Sequence, residues 1–411
     1  CRMKCRHCQS ENMGPFLDLG TAPPSNSYVR PADLGGPELW YPLVIRVCND
    51  CRLVQTEDFA SRETFFSESY AYFSSFSTSW LGHAEAYVAA MVEHFGLNDG
   101  SRVVEIAAND GYLLQYVKAR GIPCLGVEPT ASTGAAARQK GITIVEDFSG
   151  VEHAARLAAE GLSADLMAAN NVLAHVPDIN HFVSGFAHLL KPSGVATFEF
   201  PHLLNMVSEA QFDTAYHEHY SYLSLTAVAR IFAANGLRVF DVEITPWHGG
   251  SLRVFADRSD SAAHDLSPRV QAMLDREEAA GLLTADFYAG FQATAQRVRN
   301  DFLAFLIDCQ RQGLKAAAYG AAAKGNTLLN FAGVKPDLLS FVVDKNPAKQ
   351  GMFMPGSRIP IVSEEILKSE KPERVVILPW NLQTEIKQQL SYIADWGGKF
   401  VTAVPKLIAH P

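Results

Sequence analysis

Residues 103–129 read VVEIAANDGYLLQYVKARGIPCLGVEP. Val103 to Ile106 is an apolar run of strand length. Ala107-Ala108-Asn109-Asp110-Gly111 is a turn of small residues. From Tyr112 to Arg120 the apolar positions Leu113, Leu114 and Val117 recur at helical spacing, and Gly121-Ile122-Pro123 stops the helix. Cys124 to Val127 is a second apolar strand, ending in Glu128-Pro129. Strand, tight turn, helix and a second strand closed by an acid about 20 positions after the turn is a nucleoside-binding α/β pattern. The turn lets a ligand approach the backbone, and a carboxylate at Glu128 can accept both ribose hydroxyls.

Which nucleoside cofactor is meant follows from what the turn lacks. GxGxxG is absent, and Glu105 stands at the end of the first strand, where it would repel a pyrophosphate. A cationic sulfonium, S-adenosylmethionine, would be drawn to it. NAD and a βαβ unit without a ligand are the competing readings. The candidate cofactor residues are Glu105, Ala107, Asn109, Asp110, Glu128 and Pro129. Further strands at Gly141–Val145 and Ala164–Ala169 lead to Asp147, placed to accept the adenine amine, and to Asn170, Asn171 and His175. Ligands of open α/β sheets lie beyond such carboxyl ends.

The chain has 411 residues, 48% hydrophobic and 19% charged, with a net charge of −9. That suits two or three domains of a soluble enzyme and disfavours nucleic acid or an anionic membrane as a partner. No run reaches transmembrane length and no signal peptide is read. A cytoplasmic monomer is expected.

Cys5-x2-Cys8 and Cys48-x2-Cys51 supply four thiolates for a tetrahedral Zn(II); buried thiols or disulfides are the alternative. A closed four-thiolate shell leaves no open position, so such a zinc is structural. Residues 1–60 carry six Lys/Arg against seven Asp/Glu, which gives no nucleic-acid footprint. The expected domains are 1–65 (zinc-binding), 66–260 (cofactor-binding), 261–312 (a helical connector, a spacer without chemistry) and 313–411 (a smaller doubly wound α/β domain). A zinc site would replace the core that so short an N-terminal segment cannot build alone.

Tyr70, Tyr72, Phe73, Ser74 and Ser75 precede a helix from Trp80 to Phe95. They read either as pocket lining or as an ordinary lead-in. Tyr216-His217-Glu218-His219-Tyr220-Ser221-Tyr222 packs two His, one Glu and three Tyr into seven residues. HExxH spacing is absent, so proton transfer is favoured over metal; a satisfied pair of core histidines is the bland alternative. His202 follows the strand Val195–Phe200, and Trp247-His248-Gly249-Gly250 joins two strands expected to pair antiparallel. Tyr319-Gly320 opens a second strand–turn–helix with Lys324 and Asn326 at the helix start, suited to a nucleotide diphosphate or to structure alone.

Taken in order, the four-Cys ribbon, AYHEHYSYL (215–223), WHGGSLRVF (247–255) and AYGAAAKGNTLLNF (318–331) resemble the nucleotide-sugar C-methyltransferases. These put a branch methyl on C-3′ of dTDP-linked 4-keto deoxysugars, and the tetronitrose-pathway enzyme is a member. The resemblance implies S-adenosylmethionine, structural zinc, and a dTDP-linked 4-keto sugar as partner. It implies His219 as base, with Tyr216 and Glu218 beside it, and Tyr70 and His175 as further polar pocket residues. Asn171, His202, Tyr216, Tyr222, His248, Tyr319, Lys324 and Asn326 are the candidates to hold substrate. In this reading Glu218 orients or charges the imidazole, and Tyr216 or another phenol meets the enolate oxygen. One departure stands out: the family's Gly-Ser-Asn-Asp-Gly turn is Ala107-Ala108-Asn109-Asp110-Gly111 here. An Ala at positive φ costs on the order of 1 kcal/mol, at the expense of cofactor affinity. An O- or N-methyltransferase on another small molecule, or a non-catalytic zinc-ribbon scaffold, are the rival classes.

Overall fold

The computed structural model describes residues 3–59, 74–147 and 150–410; Tyr70, Tyr72 and Phe73 lie outside them. Seven strands form the central sheet: β1 (Val103–Ile106), β2 (Cys124–Val127), β3 (Ile144–Val145), β4 (Ala164–Asn170), β5 (Leu190–Pro201), β6 (Leu237–Thr245) and β7 (Ser251–Arg258). Their spatial order is 3-2-1-4-5-7-6. β1 to β5 are parallel, and β7 runs antiparallel to both β5 and β6. Every residue of β1 is buried, as a strand covered on both faces by helices must be. The chain order reverses between β1 and β4, so a crevice opens above the carboxyl ends of those two strands. Helix Thr78–Phe95 packs nearby, capped by the Ser77 hydroxyl on Trp80 N–H and ended by Gly96 at φ 62°.

The N-terminal sheet is built from Met13–Ala22, Tyr41–Cys48, Val54–Thr56 and, as its fourth strand, Ser221–Tyr222. That last strand belongs to the His-rich run: Val54 faces Tyr222 and Gln55 faces Ser221. This sheet has an apolar face of its own, contrary to the expectation that zinc alone holds the segment. Phe16 stacks on Phe291 with ring centroids 4.8 Å apart, and Phe16, Leu43 and Ile45 share one core with Phe302, Leu328 and Val342.

The reading of residues 261–312 as a spacer is corrected by what their helices bury. Helices Pro268–Ala279 and Phe291–Arg311 bury Met273, Val298, Phe302 and Leu306; the second is sandwiched between the N-terminal sheet and the C-terminal one. The latter is ordered Ile361–Val362, Val342–Val343, Ala316–Tyr319, Arg374–Ile377, Lys399–Thr402, Ile408–Ala409. All of its pairings are parallel except the last.

Candidate active site

The turn after β1 is wound left-handed, with Ala107 at φ 59°, Asn109 at φ 49° and Gly111 at φ 75°. Gly111 is required, because a Cβ there would lie 2.4 Å from Ile142 Cδ1. Ala107 does occupy the conformation that disfavours alanine. The buried Glu128 carboxylate braces the turn, accepting from Asn109 N–H at 2.8 Å and from Thr130 N–H at 2.9 Å. Asn109 Oδ1 in turn accepts from Ser74 N–H at 2.9 Å.

Buried polar atoms collect at this edge. Among the described residues, Oδ1 of Asp110, Oδ1 of Asn170 and both amide atoms of Asn171 find no partner in hydrogen-bonding geometry, and the buried Glu105 carboxylate has Tyr112 alone beside it as a donor. An unmet buried polar group costs about 1–3 kcal/mol, so the edge fits a ligand carrying donors and a positive charge. Burial, together with Glu128 and Asp110 close by, holds the Glu105 carboxyl well above its usual range; Tyr112 pulls the other way. A bound cation would restore its charge. Asp147 lies just past β3 with Oδ2 3.2 Å from Arg156 Nη2, and Pro129 is exposed.

The histidine- and tyrosine-rich cluster sits beyond β4 and β5. His219 Nδ1 is 2.7 Å from the Thr214 carbonyl, so Nδ1 carries the hydrogen and Nε2 carries the lone pair. Tyr216 lies over the ring at 3.9 Å between centroids, and His175 meets it at 4.6 Å. His175 Nδ1 is itself 2.9 Å from the Glu218 carbonyl. Burial, then the neighbouring His175, Lys324 and His248, push the His219 pKa well below the ordinary imidazole value. The Thr56 hydroxyl donates to the His219 carbonyl at 2.6 Å.

The expectation that Glu218 orients or charges His219 is corrected. The Glu218 carboxylate accepts from Asn26 Nδ2 at 3.0 Å, while the Thr214 carbonyl does the orienting. Burial raises the Glu218 pKa to about 7. His217 is also turned aside, its Nε2 3.2 Å from the Pro42 carbonyl.

Beside the N-terminal sheet, the sulfurs of Cys5, Cys8, Cys48 and Cys51 all lie within 4.8 Å of one another. Cys5–Cys51 and Cys8–Cys48 are each 3.5 Å apart, far too long for disulfides. A tetrahedron with Zn–S near 2.3 Å has edges of about 3.8 Å, so the tetrad fits zinc. Gln55 Nε2 donates to Cys5 Sγ at 3.2 Å, an outer contact that orients a ligand.

Family models cover these regions in turn: "Putative zinc binding domain" over residues 5–66, "Methyltransferase domain" over 80–242 and "C-methyltransferase C-terminal domain" over 246–405. The C-methyltransferase NovU of Streptomyces niveus is 32% identical over 403 residues, which is 98% of this chain and 96% of NovU. This chain belongs to that C-methyltransferase family. Among solved structures, magnesium protoporphyrin IX methyltransferase of Synechocystis PCC 6803 with bound S-adenosylmethionine is 18% identical, covers 44% of this chain and 79% of its own, and gives a TM-score of 0.34. The PH0226 protein of Pyrococcus horikoshii OT3 is 14% identical, covers 47% and 100%, and gives 0.38.

The methyl donor of this C-methyltransferase is S-adenosylmethionine, and its four-cysteine cluster is a zinc site. No helix among the described residues is long and apolar enough to cross a membrane.

The remaining predicted positions divide. His248, at φ 54°, is half-buried with its Nε2 shielded from solvent, and its pKa is lowered to about 4 by desolvation and by Lys324. Lys324 faces the cleft; its Nζ donates to Asn381 Oδ1 at 2.8 Å and lies 4.5 Å over the Trp380 ring. Tyr222 reaches toward Thr56 Oγ1 at 3.5 Å.

Three of the expected residues do not reach the cleft. His202 is buried against Glu277 at 2.6 Å. Tyr319 packs on the far side of its sheet, accepting from Gln389 Nε2 at 3.1 Å. Asn326 donates to the Ser25 carbonyl at 2.7 Å. At this second turn the Tyr28 hydroxyl and Lys349 Nζ both donate to the Ala321 carbonyl. Asp344 braces that turn as Glu128 braces the first, accepting from Ala321 and Asn346 N–H.

Sequence reasoning missed Asp213, Thr214, Trp380 and Asn381. A backbone carbonyl such as that of Thr214 leaves no mark in a sequence.

Proposed function

We propose that this C-methyltransferase acts on a dTDP-linked 4-keto deoxysugar, removing the C-3′ proton with His219 and methylating that carbon. One observation carries the reading. Nδ1 of His219 is engaged by the Thr214 carbonyl, which leaves Nε2 as an unprotonated acceptor in a cleft next to the donor crevice. A ketone at C-4′ acidifies the neighbouring C–H, so a neutral imidazole is a sufficient acceptor for it. The depressed His219 pKa keeps the base neutral across physiological pH. Negative charge developing on the substrate then favours the imidazolium in the transition state.

Glu105, Asn109, Glu128 and Asn170 would hold S-adenosylmethionine, which would supply an electrophilic methyl. Tyr216 and His175 hold the imidazole plane by contact on its face and edge. Asn171 and His248 line the space where the sugar lies, and both bring buried polar atoms that want partners. Holding both reactants in one geometry contributes as much as the base does.

The test is mass spectrometry of dTDP-4-keto sugars incubated with the enzyme and S-adenosylmethionine. A gain of one methyl, seen by NMR as a carbon-bound CH3 on C-3′, is the expected result. An oxygen- or nitrogen-bound methyl would move the assignment to the alternative class.

A further inference from the structure

One turn of the chain controls two charged groups at once. Its three residues are Asp213, Thr214 and Ala215. The Thr214 carbonyl fixes His219. The Ala215 carbonyl accepts from the Thr327 hydroxyl at 2.7 Å. Thr327 lies three residues after Lys324 on helix Ala323–Ala332, so the two side chains share a helix face. The Asp213 carboxylate accepts from the Trp380 indole N–H at 2.8 Å, and the face of that indole carries the Lys324 ammonium. Gly249 permits the arrangement, since a Cβ there would lie 2.5 Å from Trp380 Cη2. The base and the cation are therefore held in register by the same rigid element, although they lie about 105 residues apart in the sequence.

We infer that Lys324 is a catalytic residue that donates to the C-4′ oxygen as the enolate forms, with Trp380 and Asn381 as its positioning residues. This rests on the function proposed above and deepens it. The step balances. The C-3′ proton passes to His219 Nε2, the C–H electron pair becomes the C-3′=C-4′ double bond, and the carbonyl π pair moves onto the oxygen beside the ammonium. When C-3′ takes the methyl, the oxygen pair returns to rebuild the ketone and the sulfonium leaves as a neutral thioether. A cation stacked on an indole and partly removed from water is well suited to stabilise developing charge. A substrate phosphate is the other anion it could meet. That role would lower KM without changing the chemical step.

The experiment uses the full zinc-loaded chain, a dTDP-4-keto-deoxysugar that the wild type methylates, and Lys324→Met. The Asp213 partner can take up a proton when the cation is lost, since burial already raises its pKa to about 6, so the variant should fold; Lys324→Met/Asp213→Asn provides a second version without the buried acid. Two rates are read: methylation, and loss of C-3′ hydrogen to D2O in the presence of S-adenosylhomocysteine. The expected result is a fall in both of about 100-fold or more, with KM changed by less than about threefold. Lys324→Arg should recover part of the loss. A variant that exchanges C-3′ hydrogen at the wild-type rate, or that loses only in KM, overturns the assignment. A wild type that neither exchanges nor methylates any 4-keto sugar overturns the proposed function, and this inference with it.

Discussion

The Thr214 carbonyl and Nδ1 of His219 are 2.7 Å apart, a contact within one loop that decides which imidazole nitrogen is basic. His219→Asn keeps a donor near Thr214 but removes the Nε2 acceptor. Turnover should fall by about 10²–10⁴, while the melting temperature and the calorimetric affinity for S-adenosylmethionine stay near wild type. An Asn variant with close to normal turnover would remove His219 from the mechanism.

The zinc tetrad is linked to His219 through two adjacent residues, Gln55 on Cys5 Sγ and Thr56 on the His219 carbonyl. Val54–Thr56 follows the last zinc ligand and pairs with Ser221–Tyr222, and the Thr56 N–H donates to the Tyr220 carbonyl at 3.1 Å. Cys48→Ser should lose its zinc, measured by plasma mass spectrometry, and lose turnover on the order of tenfold or more. The S-adenosylmethionine affinity should change less than turnover, because the bonds that brace its turn, from Asn109 and Thr130 N–H to Glu128, involve no residue of the zinc ribbon. Zinc-free protein at full activity would show that the metal and the base are uncoupled.

Much of this architecture was legible, and the reasons differ by region. Val103–Val127 carried its own periodicity and breakers, so strand, turn and helix could be placed from local sequence, down to the strained Ala107. Four cysteines in two close pairs left few chemistries open. What could not be read was long-range. That Ser221–Tyr222 joins an N-terminal sheet depends on pairing with a strand about 165 residues earlier, roughly the distance between those segments in the numbering. Whether Tyr319 faces the cleft depends on which side of a strand is covered, and an all-apolar strand does not reveal that. His202 and His219 look alike in sequence; only Glu277, on a helix taken for a spacer, separates the structural histidine from the chemical one.

Glu277 therefore makes its own prediction. Its buried carboxylate meets His202 Nε2 and accepts from the N–H groups of Leu225 and Thr226 and from the Thr226 hydroxyl, at the N-terminus of helix Leu225–Ala234. Burial works against the charged form, but these bonds win and the pKa is lowered. A depressed acid contributes stability above its unfolded pKa and loses it as pH falls through the folded one. Glu277→Ala should cost about 3–5 kcal/mol in urea unfolding at pH 7, because it strands a buried partner. Glu277→Gln should cost less, and the difference should shrink below pH 4. An alanine variant as stable as wild type would mean the pair is relaxed in solution.

Glu218 points the other way. It is buried, Asn26 meets one oxygen, and Oε2 has no hydrogen-bond partner among the described residues. Its pKa rises from 4.5 to about 7, so the folded chain holds a proton that the unfolded chain has released. Below pH 4.5 both states are protonated and the group costs nothing. Between 4.5 and 7 the unfolded state gains from ionisation, and stability falls as pH rises. The difference, 7 less 4.5, corresponds to about 3 kcal/mol above pH 7 as an upper figure. Glu218→Gln keeps the oxygen that Asn26 needs and cannot ionise. It should equal wild type in urea midpoint near pH 4.5 and exceed it progressively toward pH 8. Asp213, also raised by burial, leaves a smaller slope of the same sign in both proteins. Parallel pH profiles for the two would place the Glu218 carboxylate in contact with water rather than in the core.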